Sequence, residues 1–382
     1  MLRLLQMTSV DELRFEHSAW DDLWRRSEVT LPTARAETVA LWIEQFAPRA
    51  EIRVLVVEDG GRWIAALPLI AGDRTGLVER ATLPANAWPC GGDLLWDPAA
   101  AGDACAGALL AEALRRLPWH LLMLEGARPE RQAWQSLLLA LDRAAIPCDL
   151  RARWQVPRMA IDHDWEAFWA RLSPRHRQKM TAHLRRLADR GTVQFRLHSQ
   201  FAPHEVAAGL RQAFEIEDRG WKGAGGTSVL RTPGLFAFFL RQARRLAAWG
   251  QLELAFLHCG GKPVAFCYGM SAKGVFHSCK IGYDPAYSEQ SPGHLLQYHL
   301  LRHLQADPQR SAIDYVGPMT EYHAHWRPGS YGVARLAVAP RYLGRLALGG
   351  YRLLKGPDAR TSVGPACQGG PWPSPAEQPV VY

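Results

Sequence analysis

Three short stretches carry residue types able to do chemistry. EIEDRGWK, 215–222, sets Glu217 and Asp218 just before Trp221 and Lys222. A carboxylate beside aromatic side chains can have its pKa raised and act as a general base, which makes Glu217 or Asp218 a candidate, beside the plainer reading of a surface carboxylate at a helix end. CKIGYDPAYSEQSPGHLL, 279–296, offers Lys280, Tyr283 and Asp284, followed by Ser291, Pro292 and Gly293 at the start of a Leu-rich helix. Lys280 is expected on the strand face of Phe276 and Ser278, where a buried ammonium needs an anion: substrate carboxylate, phosphate or Glu217. Tyr283 can donate a proton to a leaving group, whereas Asp284-Pro285 also reads as a plain turn. IDYVGPMTEYHAHWRP, 313–328, ends in His323, His325 and Trp326. An H-x-H pair without a third ligand at a known spacing predicts no metal site.

The helix start is the sharpest of these features. The first turn of a helix has amides without intrahelical partners and carries partial positive charge. Gly293 removes a side chain, Pro292 wastes no donor and Ser291 can cap, so the turn is a candidate anion site. Lys222 beside Trp221 reads either as a phosphate contact or as a solvated loop lysine.

The elements that must position these residues occur twice. EIRVLVVEDGGRWIAALPL (51–69) and QLELAFLHCGGKPVAFCYG (251–269) each read strand, Gly-Gly turn, strand. Two amphipathic helical patterns precede each hairpin. A third strand, a helix and a fourth strand follow each. The repeated order predicts a duplicated supersecondary unit. Between the halves SPRHRQKMTAHLRRLADRG, 173–191, predicts a capped helix with an apolar stripe and a basic face over 173–190. That face is either solvated or phosphate-contacting. The Gly- and Pro-rich segment 356–382 is expected to be disordered.

Composition bounds the reading. The chain has 382 residues, 48 % of them hydrophobic, enough for two domains. Seven scattered cysteines without a C-x-x-C pair fit free thiols in a reducing compartment. No secretory leader and no membrane insertion are expected, which points to a soluble cytoplasmic protein. The net charge of +8 and pI near 9.3 suit nucleic acid, an anionic substrate or simply a basic surface.

The three stretches quoted above resemble GNAT-type acetyltransferases associated with cellulose and exopolysaccharide biosynthesis, which have a BioF2-like acetyltransferase domain. The RVLVVEDGG hairpin resembles the matching part of the first half of those proteins. The resemblance implies an α/β (α+β) fold of two tandem GNAT-like (acyl-CoA N-acyltransferase) domains, each a mixed, mostly antiparallel sheet flanked by helices. It implies a noncatalytic or substrate-facing domain over 1–155 and a catalytic one over 156–345. Acetyl-coenzyme A or another acyl-coenzyme A would be the cosubstrate, with its pyrophosphate at Ser291, Gly293, His294 and Leu295, near Lys280. Glu217, Tyr283 and Asp284 would be catalytic. Trp221, Lys222 and Trp326 would meet a small amine or sugar-linked acceptor. Two alternatives stay open. One is a Fem-like peptidyltransferase using aminoacyl-tRNA, held by the basic helix; in the main reading no nucleic acid is expected. The other is a noncatalytic accessory module of exopolysaccharide biosynthesis.

Overall fold

The computed structural model describes residues 1–73, 76–86, 91–202 and 204–355. The segment 356–382, expected to be disordered, lies outside the described residues. The chain forms two units, one of residues 1–155 with 332 onward and one of residues 156–331.

The first unit opens with strand β1 (Leu2–Met7), then helices α1 (Val10–Phe15), α2 (His17–Arg26) and α3 (Ala36–Phe46). Strands β2 (Ile52–Asp59) and β3 (Arg62–Ala71) form the expected hairpin. Gly60 and Gly61 both take positive φ, +55° and +86°, as a two-residue turn of the I′ kind requires. Then come β4 (Arg80–Thr82), β5 (Leu95–Trp96), α4 (Ala104–Arg116), β6 (Leu121–Ala127) and α5 (Gln132–Arg143). Strand β7 (Cys148–Ala160) carries the chain into the second unit.

There the order is α6 (Trp165–Arg171), α7 (Pro174–Ala188), β8 (Val193–His198), α8 (Glu205–Arg219), α9 (Trp221–Ala224) and α10 (Leu235–Ala248). The second hairpin, β9 (Leu252–Cys259) and β10 (Lys262–Ala272), turns at Gly260 and Gly261, φ +55° and +78°. Next are β11 (Val275–Tyr283), α11 (Pro292–Ala306), β12 (Ala312–Asp314) and α12 (Glu321–Ala324). Strand β13 (Gly329–Val338) returns to the first unit, which ends in α13 (Tyr342–Lys355). Residues 332–345, expected in the second domain, therefore belong with the first, because β13 pairs with β6.

The duplication extends to the hydrogen bonding. In the first unit β1, β2, β3 and β4 pair antiparallel in turn, and β4 then pairs with β6 in parallel. In the second, β8, β9, β10 and β11 pair antiparallel and β11 pairs with β12 in parallel. Each run of strands is extended by one more. β13 adds antiparallel to β6, and the end of β7 adds antiparallel to β12. The same mixed, mostly antiparallel order of strands, flanked by helices, is thus built twice. Each unit has its own core, one around Leu55, Leu67, Trp96 and Trp134 and one around Leu257, Phe276, Leu295 and Trp326.

Candidate functional site

Strand β11 sets the site through an irregularity in its pairing. Lys280 pairs with Tyr268, and the next pair is Ser278 with Gly269, so Cys279 is an extra residue. A bulge of this kind disturbs the alternation of side chains. Ser278 contacts Cys267 at 3.3 Å, within the core that packs α11. Lys280 instead reaches α8, and its Nζ lies 5.8 Å from the Phe239 ring of α10. The expectation that Lys280 shares the face of Phe276 and Ser278 is therefore corrected.

What Lys280 meets is Glu217, near the end of α8. Glu217 Oε1 lies 3.0 Å from Lys280 Nζ and 3.2 Å from Lys222 Nζ. Its Oε2 accepts the Val229 amide at 3.0 Å. Glu217 and Lys280 are buried, whereas the Lys222 side chain is 26 % exposed. Burial works against the Glu217 charge, but Lys280, the Val229 amide and Lys222 together outweigh it and hold the carboxyl below its ordinary value. The expected rise of the Glu217 pKa is thus reversed: a carboxylate shared by two ammonium groups is a weak proton acceptor. Burial, with the neighbouring Lys222, lowers the Lys280 pKa despite Glu217. With one carboxylate and two lysines the cluster carries a surplus positive charge.

The turn between α8 and α10 supports this cluster. Asp218 accepts Ser228 Oγ at 2.5 Å and Arg231 Nε at 2.8 Å, which folds the following loop back onto α8. Within α9 a Cβ at Gly223 would lie 1.7 Å from the Asp218 carbonyl oxygen. Gly223→Ala is expected to destabilise the fold by about 2–4 kcal/mol and to release Lys222 from Glu217. Urea unfolding checks it. A variant as stable as the parent would contradict the tight turn.

Asp284 is also occupied. It accepts the Ala286 amide at 3.0 Å and pairs with Arg219 at 2.9 Å, tying the end of β11 to the end of α8. Tyr283, 46 % exposed, faces the other side of the strand, beside the start of α11: a Cβ at Gly293 would sit 3.7 Å from its ring. Trp221 is 60 % exposed, with Lys222 Nζ 5.6 Å from its ring centroid.

The amides expected to form a cradle at α11 are in part bonded within the chain. The chain between β11 and α11 forms a 3₁₀ turn over Pro285–Gln290, and Ser291 takes φ +48°. The Ser291 amide donates to Ser288 O, and the His294 and Leu295 amides both donate to Ser291 O, at 3.0–3.2 Å. Of the four residues assigned to a pyrophosphate, Gly293 alone keeps its amide unbonded among the described contacts. The Leu295 side chain is fully buried in the core.

Helix α7 packs against this turn. Ser173 caps it by accepting the His176 amide, and Pro174 fills its first turn, as the sequence predicts. Rather than connecting the two units, it packs within the second and runs along the 286–294 stretch. Arg190 donates to Ala286 O at 2.7 Å and to Gln290 Oε1 at 3.2 Å. The His176 ring centroid lies 6.2 Å from that of His294.

Trp326, expected to meet substrate, is 1 % exposed and meets His176 edge-on at 4.8 Å. His176, His294, His325 and Trp326 form one knot of rings, with Tyr322 4.7 Å from His294. Residue spacing hid this knot, because its members come from three separate helical segments. Burial, together with the neighbouring histidines and Lys179, pushes the His176 and His294 imidazoles down to about 4. Among the described residues no group of three or more His, Cys, Asp or Glu is placed to hold a metal ion.

The segment holding these features has a recognisable relation. Residues 174–324 match the acetyltransferase (GNAT) domain family model. The matched segment runs from α7 to α12 and contains Glu217, Lys222 and Lys280. No curated protein sequence matches the chain. Among solved structures, the chain is similar to the C-terminal domain (DUF2156) of a putative lysylphosphatidylglycerol synthetase from Agrobacterium fabrum. The TM-score is 0.52 at 15 % identity, over 91 % of this chain and 97 % of that one. It is similar to FemX with a TM-score of 0.55 at 10 % identity, over 86 % and 96 % of the two chains. A conserved protein of unknown function from Bacteroides thetaiotaomicron gives 0.50 at 13 % identity, over 89 % and 100 %. At these identities the likeness is one of fold.

Proposed function

We propose that the chain is an N-acyltransferase in which Lys222 and Lys280, held by Glu217, stabilise the oxyanion of acyl transfer. The observation that carries this reading is one buried carboxylate shared by two ammonium groups inside the GNAT segment. In the step, an acceptor amine forms a C–N bond to the acyl carbonyl, and the electron pair moves onto the carbonyl oxygen. Collapse breaks the bond to the carrier, which leaves with a proton while the amine loses one. The surplus positive charge of the cluster suits the intermediate oxygen, and Lys222 is its reachable face. Glu217 positions the lysines and is not the base. Tyr283, on the opposite side of β11, takes no part in this step.

Acetyl-coenzyme A or another acyl-coenzyme A is the first reading of the donor, supported by the GNAT match. The acceptor is a small amine or a sugar-linked amine, in polysaccharide or cell-envelope precursor metabolism, the class the family resemblance implies. The first unit has no catalytic part in this reading. Lys222→Met is expected to lower kcat about 10²-fold while the melting temperature stays nearly constant. An unchanged kcat would remove Lys222 from the chemistry.

A second donor reading, aminoacyl-tRNA, is favoured by α7. Arg175, Lys179, Arg185 and Arg186 carry no carboxylate partner among the described residues, and a shallow groove lined by Arg177, Gln178, Thr181 and Arg185 runs beside them. Thermal shifts with acetyl-coenzyme A and with aminoacyl-tRNA separate the readings. Stabilisation by acetyl-coenzyme A alone supports the first. Stabilisation by aminoacyl-tRNA, falling with salt, supports the second. Failure of both points to the noncatalytic module.

A further inference from the structure

Twelve large apolar side chains are exposed among the described residues, and five of them sit on α13: Tyr342, Leu343, Leu346, Leu353 and Leu354. Tyr342, Leu346 and Leu353 recur at i, i+4 and i+11, the spacing of one helical face. Leu353 and Leu354 are 86 % and 87 % exposed, close to the limit for a side chain on a helix.

The opposite face is fixed to the first unit. Leu348 packs on Leu121, Ala337 and Ala339. Gly344 lies so close to His120 that a Cβ would come within 1.7 Å of its carbonyl oxygen. Arg341 donates to Pro118 O at 2.9 Å and Arg352 to Cys148 O at 2.6 Å, pinning the helix near both ends. The helix cannot roll its leucines inward, so the fold itself presents them.

Charge decides what covers them. Residues 341–354 include three arginines and no acidic residue. Arg345 is exposed and has no carboxylate partner among the described residues. A second copy of the chain docked face to face would bring two such cationic helices together, which repel. Arg352 is taken up by Asp149 at 3.5 Å, so an anionic lipid surface complements the apolar stripe together with the exposed Arg341 and Arg345, and the net charge of +8 draws the chain toward it.

We propose that α13 docks the protein on an anionic phospholipid surface, with Tyr342, Leu346, Leu353 and Leu354 in the boundary between headgroups and acyl chains. The helix lies along the surface; no described helix is long and apolar enough to cross a membrane. The proposal is independent of the acyl-transfer reading.

Co-sedimentation of the full chain with vesicles tests it, using phosphatidylglycerol–phosphatidylcholine mixtures against phosphatidylcholine alone. Binding to the anionic vesicles is expected, weakening as salt rises. The Leu346→Glu/Leu353→Glu double variant is expected to lower the vesicle partition at least ten-fold with an unchanged melting temperature, since both side chains are exposed. Arg345→Glu is expected to weaken binding to the anionic vesicles more than to the neutral ones. No binding by the parent chain, or equal binding by the double variant, would overturn the proposal. So would a concentration-dependent dimer of the parent that the double variant loses, which would assign the stripe to a second copy.

Discussion

Glu217→Gln is expected to destabilise the second unit by about 3–5 kcal/mol and to abolish acyl transfer. Glutamine keeps the shape and removes the charge, so Lys280 faces a neutral amide in a buried site. Breaking a buried pair from one side leaves the other charge uncompensated, which is the source of the large cost. The Val229 amide keeps an acceptor in the Gln Oε1, so the loop need not unfold. Removing Lys280 as well, as Glu217→Gln/Lys280→Met, is expected to recover part of the loss, because no fully buried charge is then left unpaired and the remaining ammonium, Lys222, is partly exposed to water. Urea denaturation of the two single variants and the double completes the cycle. Additive losses would show that the two residues do not interact in solution.

Acidification is expected to destabilise the second unit well before carboxylates protonate. Four imidazoles, those of His176, His294, His299 and His323, are pushed down to about 4 from an ordinary value of 6.5, mainly by burial. Between those limits the unfolded chain binds protons that the folded chain refuses, so stability falls as pH drops from 6.5 toward 4. The groups whose carboxyl values are lowered, Glu217, Asp162, Asp218 and Asp307, lose their contribution only at lower pH, below about 4. After solvent screening each histidine contributes on the order of 1–2 kcal/mol. The melting temperature is expected to fall by about 10 °C or more from pH 7.5 to pH 4.5 at constant ionic strength. His176→Gln/His294→Gln is expected to flatten that slope. A melting temperature independent of pH across the window would contradict the burial of these rings.

The parts of the fold legible in the sequence are those set by local chemistry. Gly60-Gly61 and Gly260-Gly261 mark hairpins because consecutive positive φ values exclude other residues at little cost. Ser173-Pro174 marks the start of α7 because a cap acceptor and a ring-fixed φ act within one turn. What the sequence hid depends on partners far along the chain. Nothing in CDLRARWQVPRMA, the sequence of β7, says that its end joins β12 rather than the strands before it. The bulge at Cys279 is a matter of register with β10, so alternation along β11 alone placed Lys280 on the wrong face. Trp326 follows a histidine-rich, loop-like stretch and reads as exposed, yet the ring of His176, 150 residues earlier, covers it. The SPG turn has the composition of an anion site, but the Ser291 and His294 amides bond to the chain's own carbonyls, which composition does not reveal.

The candidate site was readable in its residue types and less so in their roles. Glu217, Lys222 and Lys280 each stand out by type in the sequence, and a salt bridge between Lys280 and Glu217 is one of the partnerships a buried ammonium there allows. Their convergence on one oxygen required the turn at Gly223 and the bulge at Cys279, neither of which leaves a spacing signal.

Single-turnover transfer of a radiolabelled acetyl group from acetyl-coenzyme A to a panel of amine acceptors, by the parent chain and by Lys222→Met, tests the central claim most directly. The account predicts transfer to at least one acceptor by the parent and a rate about 10²-fold lower in a Lys222→Met variant of equal thermal stability. Transfer at the parent's rate by that variant would contradict it.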